Sequence, residues 1–144
     1  SLAFRKGSTV SPRGHTGVVE VDNHFASPYG ELENIKTYLF YDKDSPSNIL
    51  TEEEDDLVII KGGTLAKLVE RLTHEKFPDV NYMAAFLMTF RTFTTPNELL
   101  DMLINRFNMP KPKNPTKEQE KNFRAEKLIP IHFRVFNVLK DWIN

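Results

Sequence analysis

Residues 82 to 103 read "YMAAFLMTFRTFTTPNELLDML", the densest apolar stretch of the chain. Its middle holds the signals that start one helix and end another. Thr95 stands as a side-chain cap, Pro96 takes the first helical position, and Glu98 follows the cap at capping-box spacing. The helix so begun carries Leu99, Met102, Leu103 and Phe107 on one stripe. Ahead of it the spacing predicts a helix from about Asn81 to Thr92. At about 100° per residue, Tyr82, Met83, Phe86, Leu87, Phe90 and Phe93 fall within an arc of about 140°, a core-facing width. Ala84, Met88 and Arg91 lie beyond its edge, and the remaining side is Ala85, Thr89 and Thr92. This helix, from about Asn81 to Thr92, contains no acid, so apolar surface is left over on a second side.

Outward from this pair the punctuation continues. Residues 57–60, "LVII", are a short apolar run; Lys61-Gly62-Gly63 reads as a turn; Thr64 offers a cap. Leu65, Leu68, Val69 and Leu72 then form one stripe, with Lys67, Glu70 and Arg71 expected to face water. Pro78 closes that segment. Beyond the central pair, "MPKPKNP" (109–115) is a linker, and Thr116 with Gln119 has capping-box spacing for a fourth helix. That helix carries Phe123, Leu128, Ile131, Val135, Val138, Leu139 and Trp142, and Pro130 interrupts or kinks it. Leu100, Ile104, Phe133, Phe136 and Ile143 fall outside the stripes. Three helices thus carry more apolar surface than four need: either a partner covers it, or the bundle and an amino-terminal arm bury it. The expected fold is an all-α bundle of four to five helices over residues 57–144, preceded by an irregular extension, 1–56, with short β-prone runs. In the extension, "FRKGSTVSPRGHTG" (4–17) reads as a basic arm, while "VVEV" (18–21) and "IKTYLFYD" (35–42) are β-prone. The latter is expected to dock through Leu39 or Phe40. "TEEEDD" (51–56) reads as a solvated stretch, or as a docking strip for a basic partner.

Composition narrows the function. The 144 residues are 40% hydrophobic and 27% charged, with net charge −1, which gives no general attraction to nucleic acid or anionic lipid. The absence of cysteine removes disulfides, thiolate metal sites and a cysteine nucleophile, and suits a reducing compartment. No apolar run reaches the roughly 18 residues of a membrane span. The start holds no apolar core of signal-peptide length. A first residue other than Met, and a last helix still in stride at Trp142-Ile143-Asn144, read as a piece of a longer protein. Residues 59–64, "IIKGGT", lack the spacing of a phosphate loop. His74-Glu75 has no second histidine at zincin spacing, and His15, His24 and His132 are scattered. No nucleophile elbow and no positioned carboxylate pair occur. The expected assignment is no catalytic residue, no metal and no cofactor. "RKGS" and "VSPR" have the form of kinase sites. Arg91 either lays its stem over apolar surface or pairs with Glu98 or Asp101.

The order of these segments is specific. "VIIKGGTLAKLVERLT", "FLMTFRTFTTPNELLDMLINRF", a proline-bearing linker and "LIPIHFRVFNVLKDWI" together resemble the Ras exchanger motif domain, the amino-terminal helical domain of guanine-nucleotide exchange factors for Ras-family GTPases. The resemblance covers residues 57–144. It implies a non-catalytic regulatory domain, cytoplasmic, that packs on the separate catalytic exchange domain of the same polypeptide and supports the hairpin that opens the GTPase. Membrane recruitment would then come from other domains, and the uncovered face would allow self-association of the isolated chain. In exchangers of the Son-of-sevenless type, the segment matching "PIHFRVFNVL" also touches a second, GTP-bound Ras. The matching residues are Phe133, which stands where that type has leucine, and Arg134, which it shares. The resemblance makes Phe133 an apolar contact and Arg134 a charge-assisted donor to an acidic GTPase surface; the residues alone fit equally a core or interdomain aromatic and a surface charge. Met88, on the second side of its helix, is the third candidate for partner contact. The alternative function is a free-standing helical adaptor that binds another protein through its apolar face.

Overall fold

Thr64, Asp79, Thr95 and Thr116 each stand one residue before a helix, and each side-chain oxygen accepts a backbone N–H inside the first turn. The computed structural model describes residues 3–4 and 27–144, and in it these caps open α1 (Leu65–Leu72), α2 (Val80–Thr89), α3 (Pro96–Phe107) and α4 (Lys117–Phe123). A 3-10 turn, Phe90–Thr92, ends α2. At Thr116 the capping box closes in both directions. At Thr95 only half of it forms, because Glu98 turns its carboxylate to the Thr94 hydroxyl instead of the cap's own N–H.

The helix after α4 is interrupted just ahead of Pro130. Residues Arg124–Leu128 form a π-helical segment, and α5 then runs Ile129–Ile143. Proline lacks the N–H that would bond four residues back and its ring crowds that carbonyl, so the chain widens its turn before it. The N–H of Ile129 accordingly reaches the carbonyl of Arg124, five residues back.

The all-α expectation holds only for the helical part. β2 (Ile49–Glu54) and β3 (Leu57–Gly63) form an antiparallel hairpin, and β1 (Ala3–Phe4) runs parallel to β3 on its other edge. The run "TEEEDD" is exposed, as a solvated stretch would be, but it forms a strand and its turn. Asp55 and Asp56 take left-handed backbone angles, φ 52° and 66°, as a two-residue hairpin turn requires. No period-two pattern marks this ribbon because most of it, Leu57 and Val58 included, is exposed on both faces. Gly62 and Gly63 are not a turn: they end β3, pairing with Leu50 and Ile49, and the chain enters α1 directly. The boundary expected between residues 56 and 57 falls inside the hairpin turn.

The core gathers Leu68 and Val69 of α1, Phe86 and Phe90 about α2, Leu99 and Leu103 of α3, and Ile131, Val135 and Val138 of α5. Phe86 and Phe90 stack with ring centroids 6.1 Å apart, and Trp142 closes edge-on against Phe90 at 5.4 Å. Tyr82, Phe86 and Phe90 take the buried side of the arc drawn from sequence, while Met83, Leu87 and Phe93 form its half-buried borders.

Residues 27–48 cross the helices as a strap with one short 3-10 turn, Ile35–Thr37, and no strand over the β-prone run. Tyr29, Tyr38 and Phe40 are buried in the core, and Leu39 packs half-buried beside them. Asn105 of α3 ties the strap's backbone twice: its Oδ1 accepts from Leu39 N–H at 2.9 Å and its amide donates to Thr37 O at 2.9 Å. A backbone bridge from Leu32 to Pro112 pins the strap to the linker after α3. Lys67, expected to face water, is 5% exposed because the strap folds over it. Its ammonium donates to Asp44 and Glu70 at 2.8 Å each and to the Asp42 carbonyl. The basic arm beyond Phe4, the run 18–21, His15, His24 and both kinase-like motifs lie outside the described residues.

Candidate functional site

Along α5 the core positions Ile131, Val135 and Val138 leave Ile129, Phe133, Phe136 and Ile143 on the outer side. Phe133 is 60% exposed. Phe136 keeps one edge on Phe107 of α3, with centroids 5.6 Å apart, and Phe107 in turn stacks on His132 at 3.8 Å. His132 also hydrogen-bonds the Phe107 carbonyl at 2.8 Å, which holds the end of α3 against the start of α5. Leu100 and Ile104 of α3 are exposed as well. The apolar surplus read from sequence is thus real on these two packed helices.

Arg134 is half-buried, and its Nε is enclosed with no hydrogen-bond acceptor among the described residues. Such a donor is costly unless an acceptor arrives from elsewhere. Met88 is 84% exposed, whereas Phe86 on the same helix is 0%. Phe133 and Arg134 are neighbours on α5, whereas Met88 lies on α2. Arg91 lies over the Phe90 ring at 4.6 Å, the covering role rather than the ion pair.

A second constellation could not be anticipated from helical spacing alone. Arg106 sits on the buried stripe of α3 and is 4% exposed. Its Nε donates to Thr73 Oγ1 at 3.0 Å, one Nη to Tyr38 Oη at 2.8 Å, and the other faces Glu75 at 3.5 Å. The guanidinium also lies over the Phe40 ring, 5.5 Å from its centroid. Burial pulls the pKa of Arg106 down, but Tyr38, Glu70 and Glu75 outweigh it and hold the pKa above the ordinary value. Glu75 passes the charge on to Lys127 at 2.5 Å. Burial works against its carboxylate, yet Lys127 wins and its pKa lies below the usual value. His74 is pushed down from 6.5 to about 4, chiefly by burial; Glu75 opposes the change, and Arg106, Arg71 and Lys127 add to it. Its Nδ1 accepts from the Lys76 N–H at 3.0 Å, as a neutral imidazole can. A further clasp joins Tyr29 to Glu126 at 2.8 Å, where burial first and Glu126 second push the phenol up to about 12. The one signal for Arg106 in the sequence is its place at i+7 from Leu99 and i+4 from Met102, on the apolar stripe.

The model for the RasGEF N-terminal motif matches residues 59–144 of this chain. The chain belongs to the RasGEF N-terminal motif family. Among relatives, the protein son of sevenless of Drosophila melanogaster is 36% identical over 74% of this chain, and the son of sevenless homolog of Caenorhabditis elegans 32% over 74%. Ras guanine nucleotide exchange factor A of Dictyostelium discoideum is 33% identical over 78%. The chain spans only 8%, 9% and 17% of the length of these three proteins. The RasGEF N-terminal motif is the amino-terminal motif of Ras guanine-nucleotide exchange factors and is distinct from their catalytic domain. Its matched segment begins within β3, so the strap and β2 lie upstream of it.

Proposed function

We propose that this domain is a non-catalytic support, packing against a catalytic exchange domain of the same polypeptide and so promoting GDP-for-GTP exchange on a Ras-family GTPase. The observation that carries the reading is the exposed apolar row of α5, with Phe133, Phe136 and Ile143, beside Leu100 and Ile104 of α3. Exposed apolar residues gathered on two packed helices are typical of a partner surface. Arg134, its Nε still lacking an acceptor among the described residues, would donate to an acidic group of that partner or of the GTPase. Met88 stands apart on α2 and would meet a different part of the same partner. No helix among the described residues is long and apolar enough to cross a membrane, so membrane recruitment would fall to other parts of the polypeptide.

Release of a fluorescent nucleotide from a Ras-family GTPase tests the reading. The chain alone is expected to leave the rate unchanged. The long polypeptide that includes the exchange domain is expected to lose exchange activity on Phe136→Asp. Acceleration by this chain alone would overturn the proposal, as would a Phe136→Asp long form with undiminished exchange.

A further inference from the structure

Two contacts converge on the π-helical segment Arg124–Leu128. From the strap, the Tyr29 hydroxyl donates to Glu126 Oε1 at 2.8 Å while the Tyr29 ring stands edge-on to Phe123 at 5.5 Å. From the loop after α1, Glu75 binds Lys127 and faces Arg106, whose guanidinium is held by the strap's Tyr38 and Phe40. Neighbouring residues of one π turn are therefore both tied to the strap, one directly and one through a buried arginine. A π turn is a rare single-turn insertion in a helix, frequent at functional sites. It also lies immediately ahead of Pro130 and of the row on α5 that begins with Ile129 and Phe133.

We propose that residues 27–48 form a clasp that fixes the π turn and, through it, the direction of α5. Release of the strap frees Glu126 and leaves Arg106 without its phenolic acceptor, so both ties weaken together. A rearrangement upstream of residue 49 is in this way transmitted to the outer face of α5 through Tyr29 and Glu126 and through Arg106, Glu75 and Lys127. That the face concerned is a docking face rests on the function proposed for it; the clasp itself does not.

The test uses the whole chain and backbone amide relaxation by NMR. Tyr29→Phe removes one oxygen and keeps the ring. Order parameters over residues 124–133 are expected to fall from the rigid value of about 0.85 toward about 0.6, with α1 and α2 unchanged. Glu126→Ala should do the same. Glu126→Gln, whose amide oxygen still accepts from the phenol, should restore most of the order. Unchanged order in Tyr29→Phe and Glu126→Ala overturns the clasp, as does an equal loss across all the helices. If exchange by the long polypeptide were instead insensitive to a clasp that the relaxation data uphold, the docking assignment would fall and the clasp would stand.

Discussion

Arg106 occupies a place on α3 where the stripe asks for an apolar side chain, and everything around it answers a buried charge. Thr73, Tyr38 and Glu75 satisfy its donors, and Glu75 in turn takes Lys127. Cutting one partner from such a group costs several kcal/mol because the remaining charge is left uncompensated. The sequence displays the misplaced cation but not its partners, which come from segments far apart along the chain and meet only when the strap is laid down. Lys67 misled for the same reason: its helical angle points outward, and the strap then covers that side. The network also sets a pH response through His74. In the folded chain its pKa is lowered from 6.5 to about 4. Between those values the unfolded chain binds a proton that the folded chain refuses, so stability falls as pH drops through this window and His74 adds no further loss below it. A tenfold change in proton affinity is worth about 1.4 kcal/mol, and the partial exposure of the imidazole reduces the total to roughly 1–2 kcal/mol. Glu75, whose pKa lies below its ordinary 4.5, loses its contribution only as pH falls further, through its own folded value. Denaturant melts at about pH 7 and about pH 5 should therefore differ for the natural chain and differ less for His74→Gln. A His74→Gln variant with the full natural pH dependence would assign the response to other groups.

At the level of elements, the helices were legible because their start signals are local. Thr64, Thr95 and Thr116 act within four residues of themselves, and the proline-induced break announces itself at Pro130. The two-sidedness of α2 was equally legible from spacing, and it yields a contrast that can be measured. Phe86→Ala removes a fully enclosed ring and should cost about 3–5 kcal/mol. Met88→Ala removes a side chain already in water and should cost under about 1 kcal/mol. Equal, large losses in thermal melts would mean that both sides of α2 are buried in solution. The hairpin was not legible, since a ribbon exposed on both faces has no reason to alternate. Its one sharp constraint is a close approach at Gly63. A Cβ placed there would lie 2.7 Å from the carbonyl oxygen of Asn48 and 3.2 Å from the Cα of Ile49. The same carbonyl accepts the Thr64 N–H at 2.9 Å, so it cannot move away freely. Gly63→Ala should lower stability by roughly 1–3 kcal/mol and loosen β2 from β3, seen as faster amide exchange over residues 49–54. Exchange there as slow as in the natural chain would mean that the backbone yields at no cost.

For the whole molecule, the question is where the folding unit begins. Helix periodicity weighs only the helices and starts the domain near residue 57, and the match to the RasGEF N-terminal motif begins at residue 59, although the similarity to the relatives, over 74–78% of the chain, extends upstream of it. The core begins earlier: Tyr29, Tyr38, Phe40 and Ile49 are buried with the helices, and the strap's backbone is bonded to Asn105 and to the linker after α3. Each buried aromatic contributes about 1.5–3 kcal/mol, and three of them precede the hairpin. Their sum is comparable with the roughly 5–15 kcal/mol that holds a small domain folded. Removing them also uncovers Arg106, Lys67 and the apolar faces beneath, so the loss is larger than the side chains alone. Deleting residues 1–48 should therefore abolish the cooperative melt, or move it far down in temperature, and raise binding of a hydrophobic dye. The paired substitution Tyr38→Ala with Phe40→Ala, in the full chain, should reproduce most of that loss, because it strips the strap's two rings from Arg106 while leaving the backbone ties in place. Should the shortened chain melt as the full one does, with no gain in dye binding, the strap would be a passenger and the helices would bury their charges and aromatics by rearrangement. Should it melt low while the double variant melts normally, the backbone ties to Asn105 and Pro112, rather than the aromatic packing, would be what closes the fold.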